Sequence, residues 1–445
     1  MGAYLSEPVT EKETSSGSGN GLEWAASSMQ GWRQSMEDSH ITMTELPGFS
    51  DLALFGVFDG HGGREVALFC REQMPDEVCR HLCRSVGSAS SSSAAPSGAG
   101  DEVLAAQVDP SRPIDSAVMG ATLRHAFHAM DKMLEQPAHQ KTLLGMKTGA
   151  GGAEGEAADS RPKPKIASAL QTSIQSELDQ AKGKGSLTKQ EATRLMMKIS
   201  LLKRIEEQQA MSPTEDIDES TTAADGVGCT AVCVLLSQKE VVCANAGDSR
   251  AIMCRGGLPV ELSHDHKPND DRERRRIAAA GGTIEETPVG TGKHARVNYR
   301  INGNLNLSRS IGDLQYKKRA DLPQEEQMIC STPDLLVETR SPQDEFLVVA
   351  CDGIWDVKSN AQVCDFVKKG LSKKRQLGLI IEDLLNDCIT ANPKETCGLG
   401  ADNMTCIIVK FKEFDPGEFN PNLEGSKDGD TPKQPGCFPF RCLRT

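Results

Sequence analysis

The sequence predicts an α+β protein built on antiparallel β-structure, and three observations carry that reading. Short apolar runs rich in Val, Phe, Ile and Cys, such as Leu52–Phe58, Gly228–Ser237 and Phe346–Ala350, are bounded by glycine and acids. Several follow one another through short polar turns, as in 228–254, which favours antiparallel neighbours. Helical periodicity is confined to separate segments, with Leu123, Phe127, Met130 and Leu134 at 4-3-4 spacing in 114–136.

The chain has 445 residues, enough for two or three domains or for one large domain carrying an insertion. It opens Met1-Gly-Ala-Tyr-Leu-Ser6, an N-myristoylation pattern on Gly2, followed by acidic residues that add no basic patch. One acyl chain gives only marginal membrane binding, so partial membrane association is expected of an otherwise cytoplasmic protein, with a nuclear location left open. Residues 13–21 are Ser/Gly-rich, and 1–21 reads as a flexible N-terminus. Gly31-Trp-Arg-Gln-Ser-Met-Glu-Asp38 places Arg33, Glu37 and Asp38 together. They suit either a surface ion-pair cluster or an arginine for phosphate with two acids for a metal. A strand at 40–43 and the buried strand Leu52–Phe58 follow. The latter runs into Asp59-Gly-His-Gly-Gly63, where glycines allow close backbone approach beside a carboxylate and an imidazole. A helix over 64–84 and a Ser/Ala/Gly tract at 85–101 come next. The stripe in 114–136 is core packing.

From Pro137 to Asp225 the composition shifts, and 137–225 reads as an insertion with one or two amphipathic helices. These are marked by Ile166, Leu170, Ile174 and Leu178, and by Thr188-x-x-Glu191 before Leu195 and Leu202. Gly149–Gly155 is not a phosphate loop, and Asp179–Gln190 lacks the acids of an EF-hand. Strands resume at 228–237, 241–246 and 251–254, with Asp248 at a strand end. His264-Asp-His-Lys-Pro268 reads as a structural loop before an arginine-rich helix that ends at Gly281-Gly282. Leu307–Asp313 is a turn with a terminal acid. Phe346–Ala350 delivers Asp352, with Asp356 one turn further. Helices are expected at 359–370 and 376–391, then a last strand headed by Asp402. The Pro/Gly-rich, charged segment 415–445 reads as a disordered tail. Its Cys437 and Cys442 fit S-acylation better than prenylation, because Arg444 is not aliphatic.

A net charge of −13 argues against general nucleic-acid binding. The 15 cysteines form no CxxC pair and lie largely in apolar runs, so they read as reduced, buried thiols. No apolar stretch is long enough for a transmembrane helix.

Asp59, Asp248, Asp352, Asp356 and Asp402 all stand at the ends of expected strands. A sheet gathers its strand ends along a rim, so these acids can meet. Together they would repel one another severely unless divalent cations intervene, and all-oxygen ligands select Mg²⁺ or Mn²⁺ over zinc. Two such ions suit in-line displacement by water; Arg33 would hold a phosphoryl group and His61 would protonate a leaving oxygen.

The motifs RxxxED at 33–38, VFDGHGG at 57–63, GCTA at 228–231, NAGDSR at 245–250, DHKP at 265–268, LSRSIGD at 307–313, CDGIWD at 351–356 and DNMTCI at 402–407 resemble the metal-dependent protein Ser/Thr phosphatases of type 2C, the PPM family. The likeness spans 22–136 and 226–412. Within the family, MGAYLS, LPQEEQMI at 322–329 and the long insertion most resemble the gamma isoform, although the insertion is not strongly acidic as it is there. The resemblance implies a four-layer αββα sandwich over 22–414, interrupted by 137–225. It implies hydrolysis of phosphoserine and phosphothreonine in proteins by a monomeric enzyme, with water activated by two metal ions attacking phosphorus. Asp59 would bridge both ions; Glu37 and the Gly60 carbonyl would join one, Asp352 and Asp402 the other. Arg33 would hold phosphate, Asp38 would orient the water, and His61 would be the general acid. Asp248 and Asp356, with Asp352, match a weaker third metal site. The alternative from another class is an inactive phosphatase-fold binding module, which the loss of a core acid would have favoured; none is lost.

Overall fold

The computed structural model describes residues 4–87, 114–148, 224–290 and 296–412. Gly2, the expected insertion helices beyond 148 and the tail with Cys437 and Cys442 lie outside them.

Two antiparallel sheets form the centre. One runs β1 (Val9–Gly19), β2 (Leu22–Gly31), β16 (Met404–Phe411), β15 (Asp344–Ala350), β9 (Arg250–Arg255), β10 (Leu258–Glu261) in spatial order. The other runs β14 (Asp334–Thr339), β8 (Glu240–Ala246), β7 (Ala231–Leu236), β4 (Ala53–Phe58), β3 (Ser39–Met43). Successive side chains on a strand face opposite ways, and here both faces are covered. Phe55 and Val57 of β4 pack between the sheets with Leu347, Val349, Ile407 and Val409. Leu54 and Phe58 turn outward onto α1 (Glu65–Gly87) and α2 (Ser116–Leu134). On the opposite side Phe346, Val348 and Cys406 meet the helices Asn360–Ser372 and Leu377–Cys388. Burial on both faces explains why these antiparallel strands read as unbroken apolar runs. The layers are helix, sheet, sheet, helix, as the resemblance implies.

The expected stripe is core: Leu123, Phe127, Met130 and Leu134 are fully buried. One reading is corrected. The N-terminus is not flexible over 13–21, because Thr14 pairs with Ser27 and Gly17 with Trp24 within β1 and β2. The start of the expected insertion 137–225 packs on the core. Pro137–Thr148 is a helix whose Leu143 is buried against α1 and α2, and Ala224 belongs to the same core. The described cysteines are free thiols, most of them buried.

Candidate active site

Antiparallel pairing decides where the acids go. Ala350 pairs with Cys406, so the exit of β15 and the entry of β16 share one edge, and Asp352 and Asp402 stand there together. Met404 pairs with Met29, which brings the end of β2 and the Arg33–Asp38 segment to the same edge. Gly31 adopts φ +67°, and a Cβ on it would come within 2.5 Å of the Asp402 carbonyl oxygen. In the facing sheet β4 ends at Phe58, immediately before Asp59, and β8 ends before Gly247-Asp248. Gly60 lies so close to Glu37 that a Cβ would stand 2.3 Å from its carbonyl oxygen. The site residues border a cleft of about 1040 Å³ walled on one side by the strand Arg296–Ile301.

The acids do converge. Burial pushes the Asp59 carboxyl well above its ordinary range, and Asp352, Asp38, Asp402 and Asp248 push it further. Asp352 is raised by burial, then by Asp402, Asp248 and Asp356, against the pull of Lys267. Asp356 is likewise raised, chiefly by burial. Asp38 is pushed up to about 7 by burial, although Thr405 Oγ1 donates to its Oδ2 at 2.7 Å. Its Oδ1 is buried with no hydrogen-bond partner among the described residues. Glu37 accepts from Ser35 Oγ at 2.7 Å and from the Gly63 amide at 3.3 Å. A buried group of carboxylates that destabilise one another, with an unpartnered oxygen, fits a divalent cation. Cys351 Sγ also lies close to Asp38 and Asp59. Burial keeps it a thiol, and it accepts from the Thr405 amide at 3.1 Å, so the donor set is oxygen. Glu37, Asp59, Gly60, Asp248, Asp352, Asp356 and Asp402 line this one cleft, and their oxygens could hold a divalent cation.

Arg33, about half exposed, donates to Asp402. His61 Nε2 meets Asp313 Oδ2 at 2.7 Å, and its Nδ1 is without a partner among the described residues. Burial would lower its pKa, but Asp313, Asp248 and Glu37 outweigh burial and raise it. Asp313 was legible only as the acid ending a turn. Its place at φ +50°, fixed by Ser310 Oγ at 2.5 Å, shows it to be the partner of His61. Asn403 also escaped notice. Its side chain accepts from the Glu37 amide and donates to the Gln30 and Ser35 carbonyls, so it clamps the 30–37 loop onto the head of β16. The signal for it was adjacency to Asp402 within DNMT. The His264–Pro268 loop is structural as expected: His266 is buried, and its Nδ1 accepts from the Gly247 amide.

Comparison with known proteins tells which class of protein this sandwich with an acid-lined rim belongs to. The family model "Protein phosphatase 2C" matches residues 22–109 and 120–397. Protein phosphatase 2C homolog 2 of Schizosaccharomyces pombe is 33% identical over 92% of this chain and 79% of its own length. Probable protein phosphatase 2C 11 of Oryza sativa subsp. japonica is 34% identical over 93% and 91%. Protein phosphatase 1G of Mus musculus is 30% identical over 93% of each chain. The chain belongs to the protein phosphatase 2C family.

Proposed function

We propose that this protein hydrolyses phosphoserine and phosphothreonine in proteins, using two divalent cations held by its rim of carboxylates. The observation that carries the reading is the convergence of Asp59, Asp352, Asp402 and Asp38 at one edge of the sandwich, where burial and the neighbouring carboxylates push Asp59 and Asp352 well above the ordinary carboxylate range. Mg²⁺ or Mn²⁺ bound there would supply charge neutralisation and an activated water for in-line displacement.

The chain's own residues do the rest. Arg33, released from Asp402 when that carboxylate is engaged, presents a guanidinium whose fork matches phosphate oxygens. Asp38 is fixed through Oδ2 by Thr405, which leaves Oδ1 to take a proton from the attacking water. His61 is oriented by Asp313 and holds the proton that a serine or threonine oxygen needs on leaving. Phosphoprotein is the substrate class we infer, and the cleft beside the strand Arg296–Ile301 is where its phosphorylated side chain would enter. The 30% identity to mouse Protein phosphatase 1G does not exceed the 33–34% to the yeast and rice proteins, so the gamma likeness rests on MGAYLS and LPQEEQMI.

Turnover of a phosphothreonine peptide tests this. Phosphate release with Mn²⁺ or Mg²⁺, abolished by EDTA and restored by added metal, is the expected result. Release that is indifferent to EDTA, or absent with every divalent ion, overturns it.

A further inference from the structure

Lys267 lines the same cleft and takes no part in the chemistry above. Lys267 donates from Nζ to Asp248 Oδ2 at 2.6 Å, and Asp248 is 1% exposed. Asp352 and Asp356 lie close enough to add to the hold on the ammonium. Burial opposes the charge, yet these three acids keep the lysine protonated far beyond its ordinary range.

The backbone around Lys267 is fastened to the same turn that carries its partner. The His266 amide donates to the Gly247 carbonyl at 2.9 Å, and the Gly247 amide donates to His266 Nδ1 at 3.2 Å. Asn245 Nδ2 donates to the His264 carbonyl at 2.8 Å. The Lys267 amide donates to Asp270 Oδ2 at 3.0 Å, at the start of the next helix. A lysine on a free loop would lose rotamer entropy on ordering and contribute little as an ion pair. Here the two loops arrive already joined, so the ammonium is delivered to Asp248 at small entropic cost.

We propose that Lys267 is a built-in cation of the Asp248–Asp352–Asp356 subsite, competing with a third divalent ion for Asp248 and thereby keeping that ion weakly bound. The inference rests on the two-cation reading, since Asp352 is shared between the pair and this subsite. A third ion reaches Asp248 only by displacing the ammonium. A like charge at such a distance moves a binding equilibrium as it moves a carboxylate pKa, by about 1–3 powers of ten. Removing it should tighten the third ion far more than the first two, because Lys267 donates to Asp248 itself, whereas only its charge reaches Asp352, the acid shared with the pair.

Calorimetric titration of the metal-stripped full chain with Mn²⁺, with free ion counted by EPR, reads this without reference to catalysis. Wild type should show two tight ions and a weak third. Lys267→Met should tighten the third by at least about tenfold. Lys267→Arg should leave it weak, and Lys267→Met with Asp248→Asn should abolish the gain. Lys267→Gln, which keeps the stem and a polar tip, gives the same reading if the methionine variant does not fold. Two tight ions in wild type with an unchanged third in the neutral variants, or equal tightening in Lys267→Arg, overturns this inference alone. No tight Mn²⁺ in wild type overturns the two-cation reading and this inference with it.

Discussion

Asp352 is held protonation-prone by burial and by Asp402, Asp248 and Asp356, which fixes the sign of its effect on stability. A carboxyl whose folded pKa is raised stabilises the metal-free fold only at low pH. That contribution is lost as pH climbs from the ordinary carboxylate value through the raised one. At pH 7 without metal, Asp352→Asn should therefore melt higher than wild type, by about 2–4 °C for each kcal/mol of repulsion relieved. In saturating Mn²⁺ the order should invert. Calorimetric melting with and without EDTA checks both, and a lower metal-free melting temperature in the variant contradicts the repulsion argument. His61 supports a kinetic expectation. His61→Ala should slow phosphopeptide hydrolysis by about 10²–10⁴-fold, and p-nitrophenyl phosphate far less, because nitrophenolate leaves without a proton. Asp313→Asn should show the same selectivity in weaker form. Equal losses on both substrates would remove the acid role. His61 was legible in DGHGG, whereas Asp313 was not. Its partnership depends on a left-handed residue in a turn some 250 positions away, and no local pattern encodes that.

At the scale of elements, the helix Asp271–Ala279 is bolted to the Ser308–Ser310 segment that leads to Asp313. Glu273 accepts from Arg309 Nη2 at 2.6 Å and from Ser308 Oγ at 2.8 Å, and both charged residues are 1% exposed. Burial alone would raise the Glu273 pKa; the Arg309 hydrogen bonds and charge, with Arg276, bring it down to about 2 from 4.5. Glu273→Gln leaves Arg309 buried without its main counter-charge and should cost about 3–5 kcal/mol. A depressed carboxylate stabilises above its unfolded pKa, so the gap between wild type and variant should shrink as pH falls from 4.5 towards 2. Urea midpoints at pH 7 and pH 3 measure it; a gap that widens in acid contradicts the assignment. The helices and central strands were legible because both faces of each sheet are buried, which writes apolar runs into the sequence. β1 was not, for a physical reason. It is an edge strand whose side chains are mostly exposed, so its composition is that of a loop. Its Gly17 is there for space: a Cβ would stand 2.9 Å from the Trp24 ring lying across it.

On the whole-molecule scale, every group named in the site comes from the described residues of one sandwich. Replacing 149–223 with a Gly/Ser linker should leave metal-dependent turnover of p-nitrophenyl phosphate unchanged. Extending the deletion back through Pro137–Thr148 should instead destabilise the protein, because Leu143 leaves the core around α1 and α2. Equal stability of the two deletions would show that this helix is dispensable. The rim itself was readable as five acids at strand ends. What the sequence could not show is which acids share a partner, since pairings such as Ala350 with Cys406 are set by register between distant strands.

The central claim is that this rim binds two divalent ions as one unit and that phosphate-ester hydrolysis depends on the pair. Stepwise Mn²⁺ titration of the metal-stripped protein, with EPR and phosphopeptide turnover read on the same samples, tests it most directly. Two Mn²⁺ ions held as one unit would couple magnetically. The exchange-coupled signal should grow to two equivalents, turnover should rise in step with it, and Asp59→Asn should abolish both. Full turnover at one equivalent, or turnover with only uncoupled Mn²⁺ present, would contradict the account.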